Sequence, residues 1–514
     1  MSSTNIGIGT ETDDRRYQAL CAHDARFDGR FFVGVTSTGI YCRPVCRVRV
    51  PKRDNCRFFD LAAQAERAGF RPCLRCRPEL APRDRHWSSE DASAILAQQA
   101  TALLDDPQTW QAHGTERATM LWLAQRLGLS DRHLRRIFGQ RLGVSPLQYL
   151  QTRKLLAAKQ LLADTALPVS QVALASGFGS LRRFNAAMQQ RYGMSPSQMR
   201  QGASSSNIGL AASSSRARLF WRPPLDATAL FTFLAQHQLP GMERVDVAAL
   251  SLTRSLRLEA GGAVHRGWLQ ARFQPEASAV DINVSASLQM VLPQVLWRVR
   301  ALFDLDAEPH AINTALNTDF PGGEGLRVPG CVDGFELAVR AVLGQQITVA
   351  AARTLAQRLL ETFGEAMETP EPQVHRLFPT PQALIAAQSH ELGAIGIVRQ
   401  RQAAIQGLAR GVADGSLDLS GHADLAQTLH RLQSLSGIGP WTAQYIAMRA
   451  LRSPDAWLVG DVALHQALGL IPTRGTETNR AATERALAWQ PWRSYAVIRA
   501  WAGHHTPPQQ EHRT

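Results

Sequence analysis

Two cysteine pairs near the start of the chain limit its possible folds more than any other feature. The stretch YCRPVCRVRV carries Cys42 and Cys46, and RPCLRC carries Cys73 and Cys76. C-x3-C followed by C-x2-C is the spacing of a tetrahedral site closed by four thiolates, each about 2.3 Å from a zinc ion. Two tight turns must then bring four sulfurs to one point, so this region is expected to be a small domain organised by a metal. Disulfides are the rival use of such cysteines, and an inert zinc staple is the plain one. The start MSSTNIGIGTETDD lacks the basic residues and apolar core of a secretory signal, and no apolar run is long enough to span a membrane. A reducing, cytoplasmic setting is expected, which favours metal ligation over disulfides.

Charge separates the chain into two regions. Residues 1–200 hold 29 Lys and Arg against 17 Asp and Glu, whereas residues 201–514 hold 27 against 26. Nearly all of the net +13 therefore lies at the front, where it suits a polyanion such as nucleic acid.

Punctuation marks the domains. GASSSNIGLAASSSR, Gly202 to Arg216, is small, polar and Ser-rich, and reads as a flexible linker. A softer boundary lies at Ala81 to Ser93. Between them RLGVSP at Arg141 recurs as RYGMSP at Arg191, and each copy follows an apolar helix, a Gly turn and a basic helix. In LAQRLGLSDRHLRRIF the turn is Gly128, Ser130 or Asp131 caps the second helix, and Leu134, Ile137 and Phe138 form its buried stripe. In VALASGFGSLRRFNAAM the turn is Gly177 and the cap is Ser180. This is helix-turn-helix spacing, and the period-two alternation of Ala248–Gln289 reads as half-buried strands. From about Leu292 the pattern is helical again.

The cysteine region resembles the N-terminal domain of Ada-type methylation-response proteins, over about residues 11–82. The match rests on FFVGVTSTGIYCRPVCRVRVPKRDNCRFF and AGFRPCLRCRPE. It implies one Zn2+ held by Cys42, Cys46, Cys73 and Cys76, with Cys42 taking a methyl group irreversibly from a DNA methylphosphotriester. Turning one thiolate into a thioether lowers the negative charge of the cluster, so Arg43, Arg47, Arg49, Arg71, Arg75 and Arg77 are expected to meet the DNA backbone with less opposition. Cys56, outside both pairs, reads as a small buried hydrophobe.

Residues Leu121–Arg200 resemble the AraC-type DNA-binding domain, including the G-x-S-P that closes each copy. The resemblance implies two recognition helices, one presenting Arg132, His133, Arg135 and Arg136, the other Arg182, Arg183 and Asn185, to phosphates or base edges.

In the C-terminal half, LSGIGPWTAQYIAMR places Gly437 and Gly439 in a turn between two helices, and Asp461 follows in the otherwise apolar WLVGDVALHQ. A G-x-G turn can aim backbone N–H groups at a phosphate. With LRVPGCVDGFELAVRAVLGQQITVAAA and WQPWRSYAVIRAW, this region resembles AlkA-type 3-methyladenine DNA glycosylase II over about residues 218–505. The resemblance implies Asp461 as the catalytic carboxylate, Trp441, Tyr445, Trp501 and Phe233 as an aromatic base pocket, and Gly437 and Gly439 as the phosphate-binding hairpin. Gln346 stands where the family can place a leucine wedge. Glycosylases that also cut the backbone carry a lysine at position 441, so a monofunctional enzyme leaving an abasic site is expected. Gly460 replaces an acid, and Ala227 and Ala229 replace aromatics. The P-C-H-R motif of an O6-methylguanine transferase does not occur, and the last cysteine, Cys331, sits in a PGCVDGF turn.

The expected fold is multidomain and mainly α. A small α/β zinc domain (11–82) follows a disordered tail (1–10). An all-α double helix-turn-helix domain (86–200) and a linker (201–216) come next. The rest is an α+β glycosylase with an antiparallel strand-rich subdomain (217–291), two helical subdomains bearing a helix–hairpin–helix (292–505), and a tail (506–514). The expected function is repair of alkylated purines in DNA joined to methylation-dependent activation of transcription. The expected partners are alkylated and promoter duplex DNA and RNA polymerase, with no membrane, for a monomer at the nucleoid. The rival expectation is a regulator whose glycosylase half binds DNA without catalysis.

Overall fold

A computed structural model describes residues 7–83, 91–112, 115–204, 214–470 and 476–505. The chain divides into two compact units: Met1–Pro223 with Arg257–Trp297, and Pro224–Leu256 with Arg298–Thr514. No helix among the described residues is long and apolar enough to cross a membrane.

In the first unit, β1 (Phe32–Val35), β2 (Ile40–Cys42), β3 (Cys56–Phe59) and β4 (Arg71–Pro72) form a sheet of order β3-β1-β2-β4. The helices Gly7–Cys21 and Ala62–Arg67 complete an α/β domain. β2 and β4 run parallel with Tyr41 opposite Pro72, and the Cys73 N–H donates to the Tyr41 carbonyl at 3.0 Å. That register sets Cys42 beside Cys73, so strand pairing itself gathers the two cysteine pairs.

The helix-turn-helix pairs are Glu116–Arg126 with Asp131–Leu142 and Val169–Ala175 with Leu181–Tyr192. Ser130 accepts the His133 N–H and Ser180 the Arg183 N–H, each at 3.3 Å. Capping of this kind is worth about 1 kcal/mol per helix. Gly177 has φ +77° and its missing Cβ would lie 2.8 Å from Trp110 Cβ, so the turn needs glycine twice over. The repeated G-x-S-P is a helix stop and start in one: Gly143 and Gly193 end helices in left-handed conformation, and Ser145 and Ser195 cap the next helices ahead of Pro146 and Pro196.

Buried polar groups fix the zinc domain to this helical domain. Glu66 accepts from Tyr41, Thr152 and Tyr192 at 3.1, 2.7 and 3.1 Å. Arg77 forms a two-pronged pair with Asp164 at 2.7 and 2.9 Å, and Lys159 donates to Glu79. Arg77 is therefore a tether and not a DNA contact. Arg43 is likewise withdrawn: it pairs with Asp28 beneath the surface and its guanidinium lies 4.2 Å from the Phe220 ring centre. Of the six arginines expected to face DNA, the structure leaves Arg47, Arg49 and Arg75 exposed and Arg71 half-buried.

Five more strands follow: β5 (Ser214–Phe220), β6 (Glu243–Asp246), β7 (Ser251–Ala260), β8 (Ala263–Gln274) and β9 (Ala279–Ser285). β9 pairs antiparallel with both β5 and β8. β5 begins inside the stretch expected to be linker, with Ser214, Ser215 and Arg216 opposite Ser285, Val284 and Asn283. The preceding helix Pro196–Ser204 also enters that stretch, and 205–213 lie outside the described residues. Helix Gly7–Cys21 similarly begins within the expected tail, whose first six residues, like 506–514, are not described.

The expected single subdomain 217–291 is divided between the units. β5, β8 and β9 belong with the zinc domain because Phe220 packs under Arg43 and buried Arg222 donates to the Asp28 and Arg83 carbonyls at 3.0 and 2.8 Å.

The second unit pairs β6 with β7, carries a short antiparallel pair, Glu365–Ala366 with Arg376–Leu377, and is otherwise mainly helical. Its core includes Ala338, Val342, Leu408, Ile446 and Val497, all at or near zero exposure. Helices Gly334–Leu343, Pro440–Arg449 and Arg493–His505 carry the side chains discussed next.

Candidate functional site

In the first unit the four sulfurs of Cys42, Cys46, Cys73 and Cys76 lie within 4.8 Å of one another. Tetrahedral zinc bonds of about 2.3 Å separate their sulfurs by about 3.8 Å, so the cluster fits one Zn2+. The Arg43 N–H donates to Cys76 Sγ at 3.4 Å and its guanidinium to the Cys76 carbonyl at 3.0 Å. Such outer bonds orient metal ligands. Cys42, Cys46 and Cys73 are equally buried, so access does not single out Cys42. Cys56 is buried and donates to the Lys52 carbonyl, outside the cluster.

The second helix of each helix-turn-helix presents a basic face. Arg132, Arg135 and Arg136 are exposed, with His133 half-buried beside Arg136. Arg182, Arg183 and Asn185 are exposed on the other. Each helix buries its apolar stripe, Leu134, Ile137 and Phe138 in one and Phe184 and Met188 in the other, so the basic residues point outward by periodicity.

In the second unit, helices Leu425–Ser434 and Pro440–Arg449 flank the hairpin turn. Gly437 has φ +87°, and a Cβ there would crowd the Gln400 carbonyl at 3.2 Å. Gly439 starts the second helix with open space around it, as backbone approaching a phosphate requires. Gln345 ties the turn down by donating to the Gly437 carbonyl at 2.8 Å.

Behind the hairpin a cavity of about 990 Å³ is lined by Phe233, Trp441, Tyr445, Arg449 and Trp501. Trp441, Tyr445 and Arg449 recur every four residues and so share one helix face. Trp441 stacks on Tyr445 with ring centres 5.3 Å apart and planes 9° from parallel, and Tyr445 meets Trp501 at 6.4 Å. Phe233 is half-buried and faces the cavity.

Asp461 stands behind the two tryptophans, 9% exposed. Its Oδ2 accepts the Trp441 indole N–H at 3.1 Å; its Oδ1 accepts the Trp501 indole N–H at 3.2 Å and the Leu464 N–H at 2.9 Å. Three donors thus fix one carboxylate beside an aromatic cavity. Gly460 has φ +82°, a conformation that suits glycine and not the acid it replaces. Gln346 is exposed with φ +56°, unusual for a side-chain-bearing residue, between the cavity-lining Gly344 and Ile347. Ala229 lines the cavity and so widens it relative to an aromatic, whereas Ala227 is buried away from the lining. Burial raises the Cys331 thiol to about 12, leaving it unreactive.

The sequence reading missed Arg449 and His237. Arg449 lies against two of the four expected pocket rings, so the pocket is not purely electron-rich. Its spacing from Trp441 and Tyr445 was the available signal. His237, stacked on Phe233, had the same one, lying four residues after it at the end of helix Ala227–Gln236.

Four family models match the chain. They are the metal binding domain of Ada over residues 15–79, a helix-turn-helix domain over 123–202, the AlkA N-terminal domain over 216–333, and the HhH-GPD superfamily of base excision DNA repair proteins over 339–493. A Mycobacterium tuberculosis protein described as a probable bifunctional transcriptional activator/DNA repair enzyme AlkA is 35% identical over 95% of this chain and 96% of its own. The DNA-3-methyladenine glycosylase 2 of Escherichia coli is 36% identical over 55% of this chain and 95% of its own. The bifunctional transcriptional activator/DNA repair enzyme AdaA of Bacillus subtilis is 33% identical over 37% of this chain and 82% of its own.

Proposed function

Since this chain belongs to the family of bifunctional transcriptional activator/DNA repair enzymes that join an Ada-type metal-binding domain to an AlkA-type glycosylase, we propose that Asp461 is its catalytic carboxylate and Cys42 its methyl acceptor. The protein is a DNA-binding, zinc-binding repair glycosylase and transcriptional activator. Residues 11–82 sense methylation, 86–200 bind promoter DNA, and 217–505 excise bases.

Cleaving an N-glycosidic bond leaves positive charge on the deoxyribose, and a fixed carboxylate stabilises it. Asp461 supplies that charge, and the indole N–H groups of Trp441 and Trp501 aim it. An alkylated purine such as 3-methyladenine flips into the cavity against Trp441, Tyr445, Trp501 and Phe233, while Gln346 fills the gap in the duplex. Water adds to the sugar and an abasic site remains. Trp441 has no amine to form a Schiff base, so the enzyme is monofunctional.

Cys42, Cys46, Cys73 and Cys76 would hold the Zn2+, which when bound would keep their sulfurs deprotonated. Cys42 Sγ attacks the methyl carbon of a phosphotriester; the S–C bond forms, the C–O bond breaks, and its electron pair leaves on the phosphate oxygen. The thioether is permanent, so each molecule reacts once. Loss of one negative charge lets Arg47, Arg49, Arg71 and Arg75 hold DNA more tightly, by a margin that shrinks with salt. As a monomer on promoter DNA, the protein then recruits RNA polymerase.

The observation that carries the glycosylase reading is the Asp461 carboxylate bonded to two cavity tryptophans. Duplex DNA carrying 3-methyladenine is expected to release the free base, leave an abasic strand uncut, and give no adduct on borohydride reduction. A trapped adduct would overturn the monofunctional assignment. Tight DNA binding with no base release would return the protein to the regulator reading.

A further inference from the structure

Arg449 is a buried cation set among the rings of the glycosylase cavity, whose wall also holds Arg327, Arg340 and Arg353. The guanidinium of Arg449 lies 5.0 Å from the Phe233 ring centre and 5.5 Å from that of Tyr445. It donates to the Pro329 carbonyl at 2.7 Å, the Gly330 carbonyl at 3.3 Å and the Tyr445 hydroxyl at 2.5 Å. All these partners are neutral, and among the described residues no carboxylate is within ion-pair distance of it. Arg449 is 6% exposed, so water does little to mask it. His237 also stacks on Phe233, with ring centres 4.2 Å apart. Burial, reinforced by the charge of Arg449, holds His237 near 4, so it is neutral at physiological pH. The cavity therefore carries a fixed positive charge set against two of its own rings. Trp441 and Trp501 are left as the rings that meet no protein cation among the described residues.

We propose that Arg449 determines which lesions the enzyme prefers. Its charge weakens the binding of bases that are cationic while attached to the sugar, and favours the departure of any base. The reason is charge balance. When the N-glycosidic bond breaks, its electron pair goes to the base nitrogen and the positive charge goes to the sugar. A cationic base leaves neutral, and a neutral base leaves with negative charge. Either way the charge on the base falls by one, and a cation nearby favours that fall equally. The two classes differ only before the reaction, when a cationic base is repelled by Arg449 and a neutral one is not. Phe233 and Tyr445 add to the bias, because the ring faces turned to Arg449 are unavailable to a substrate cation.

This inference rests on the glycosylase reading. The test is single-turnover release from duplexes holding 3-methyladenine, cationic in DNA, or hypoxanthine, neutral in DNA, with wild type, Arg449→Met and Arg449→Lys. In Arg449→Met the rate at saturation is expected to fall for both lesions. The half-saturating concentration is expected to fall for 3-methyladenine alone, so the preference for 3-methyladenine over hypoxanthine rises by about tenfold, as expected for one charge removed from a partly buried site. Arg449→Lys keeps the charge and is expected to keep the wild-type ratio. An unchanged ratio in Arg449→Met overturns the inference and leaves the glycosylase reading standing, whereas release of neither lesion by wild type overturns the reading itself. The unaltered protein gives a check that needs no variant: neutral 9-methyladenine is expected to inhibit 3-methyladenine release at lower concentration than the 3,9-dimethyladeninium cation. The reverse order overturns the inference.

Discussion

Asp461→Asn is expected to slow single-turnover release of 3-methyladenine by about 100- to 1000-fold, the usual loss when one preorganised electrostatic partner is removed. The effect belongs chiefly in the rate at saturating enzyme and less in DNA affinity, because the charge acts most strongly once the adjacent sugar becomes positive. Asparagine is the same size and serves equally well at a helix start, so the Leu464 N–H keeps its acceptor. What it loses is one of two acceptor oxygens. With its oxygen kept at the place that accepts from Leu464 and Trp501, its NH2 faces the N–H of Trp441, a mismatch worth about 1–3 kcal/mol of stability. The fold survives this in a unit with so large an apolar core. Thermal unfolding beside the kinetics separates the two effects, and a rate loss below tenfold in a folded variant would count against Asp461.

The second large effect is expected at the cysteines. Cys73→Ala should remove the zinc and unfold the region 15–79, because structural zinc sites supply about 10–16 kcal/mol of apparent binding energy. Cys73 stands beside Cys42 through the parallel pairing of β2 and β4, so its loss removes a ligand and a register mark together. The damage should spread. Glu66, Arg77 and Glu79 tie the zinc domain to Tyr192, Asp164 and Lys159, and with the domain unfolded these buried groups lose their partners. Promoter binding by Arg132–Arg136 and Arg182–Arg183 is therefore expected to weaken although none of those residues is touched. The measurements are zinc content per chain, the unfolding profile and DNA affinity. One zinc per chain with unchanged unfolding in Cys73→Ala would contradict the site.

Local chemistry was legible in the sequence; enclosure was not. Cysteine spacing, the caps at Ser130 and Ser180, and the turn at Gly437 all depend on neighbours within a few residues, and the structure places them where the spacing puts them. The alternation over Ala248–Gln289 likewise became β7, β8 and β9. Arg43 and Arg47 look alike in YCRPVCRVRV, yet Asp28 and Phe220, distant in sequence, bury the first and leave the second in solvent. The Ser-rich start of β5 reads as linker because its strand character comes from pairing with β9, not from its own side chains. Arg449 was hidden for the same reason: its role depends on Phe233, more than two hundred residues earlier.

The central claim is that a fixed negative charge at Asp461 faces the sugar of a flipped alkylated nucleotide. Binding to two otherwise identical duplexes tests it most directly, one with a cationic pyrrolidinium abasic analogue and one with its neutral tetrahydrofuran counterpart. Wild type is expected to bind the cationic duplex at least tenfold more tightly, with the difference gone in Asp461→Asn, as a charge of one sign beside its opposite requires. Equal affinity of wild type for both duplexes would contradict the account.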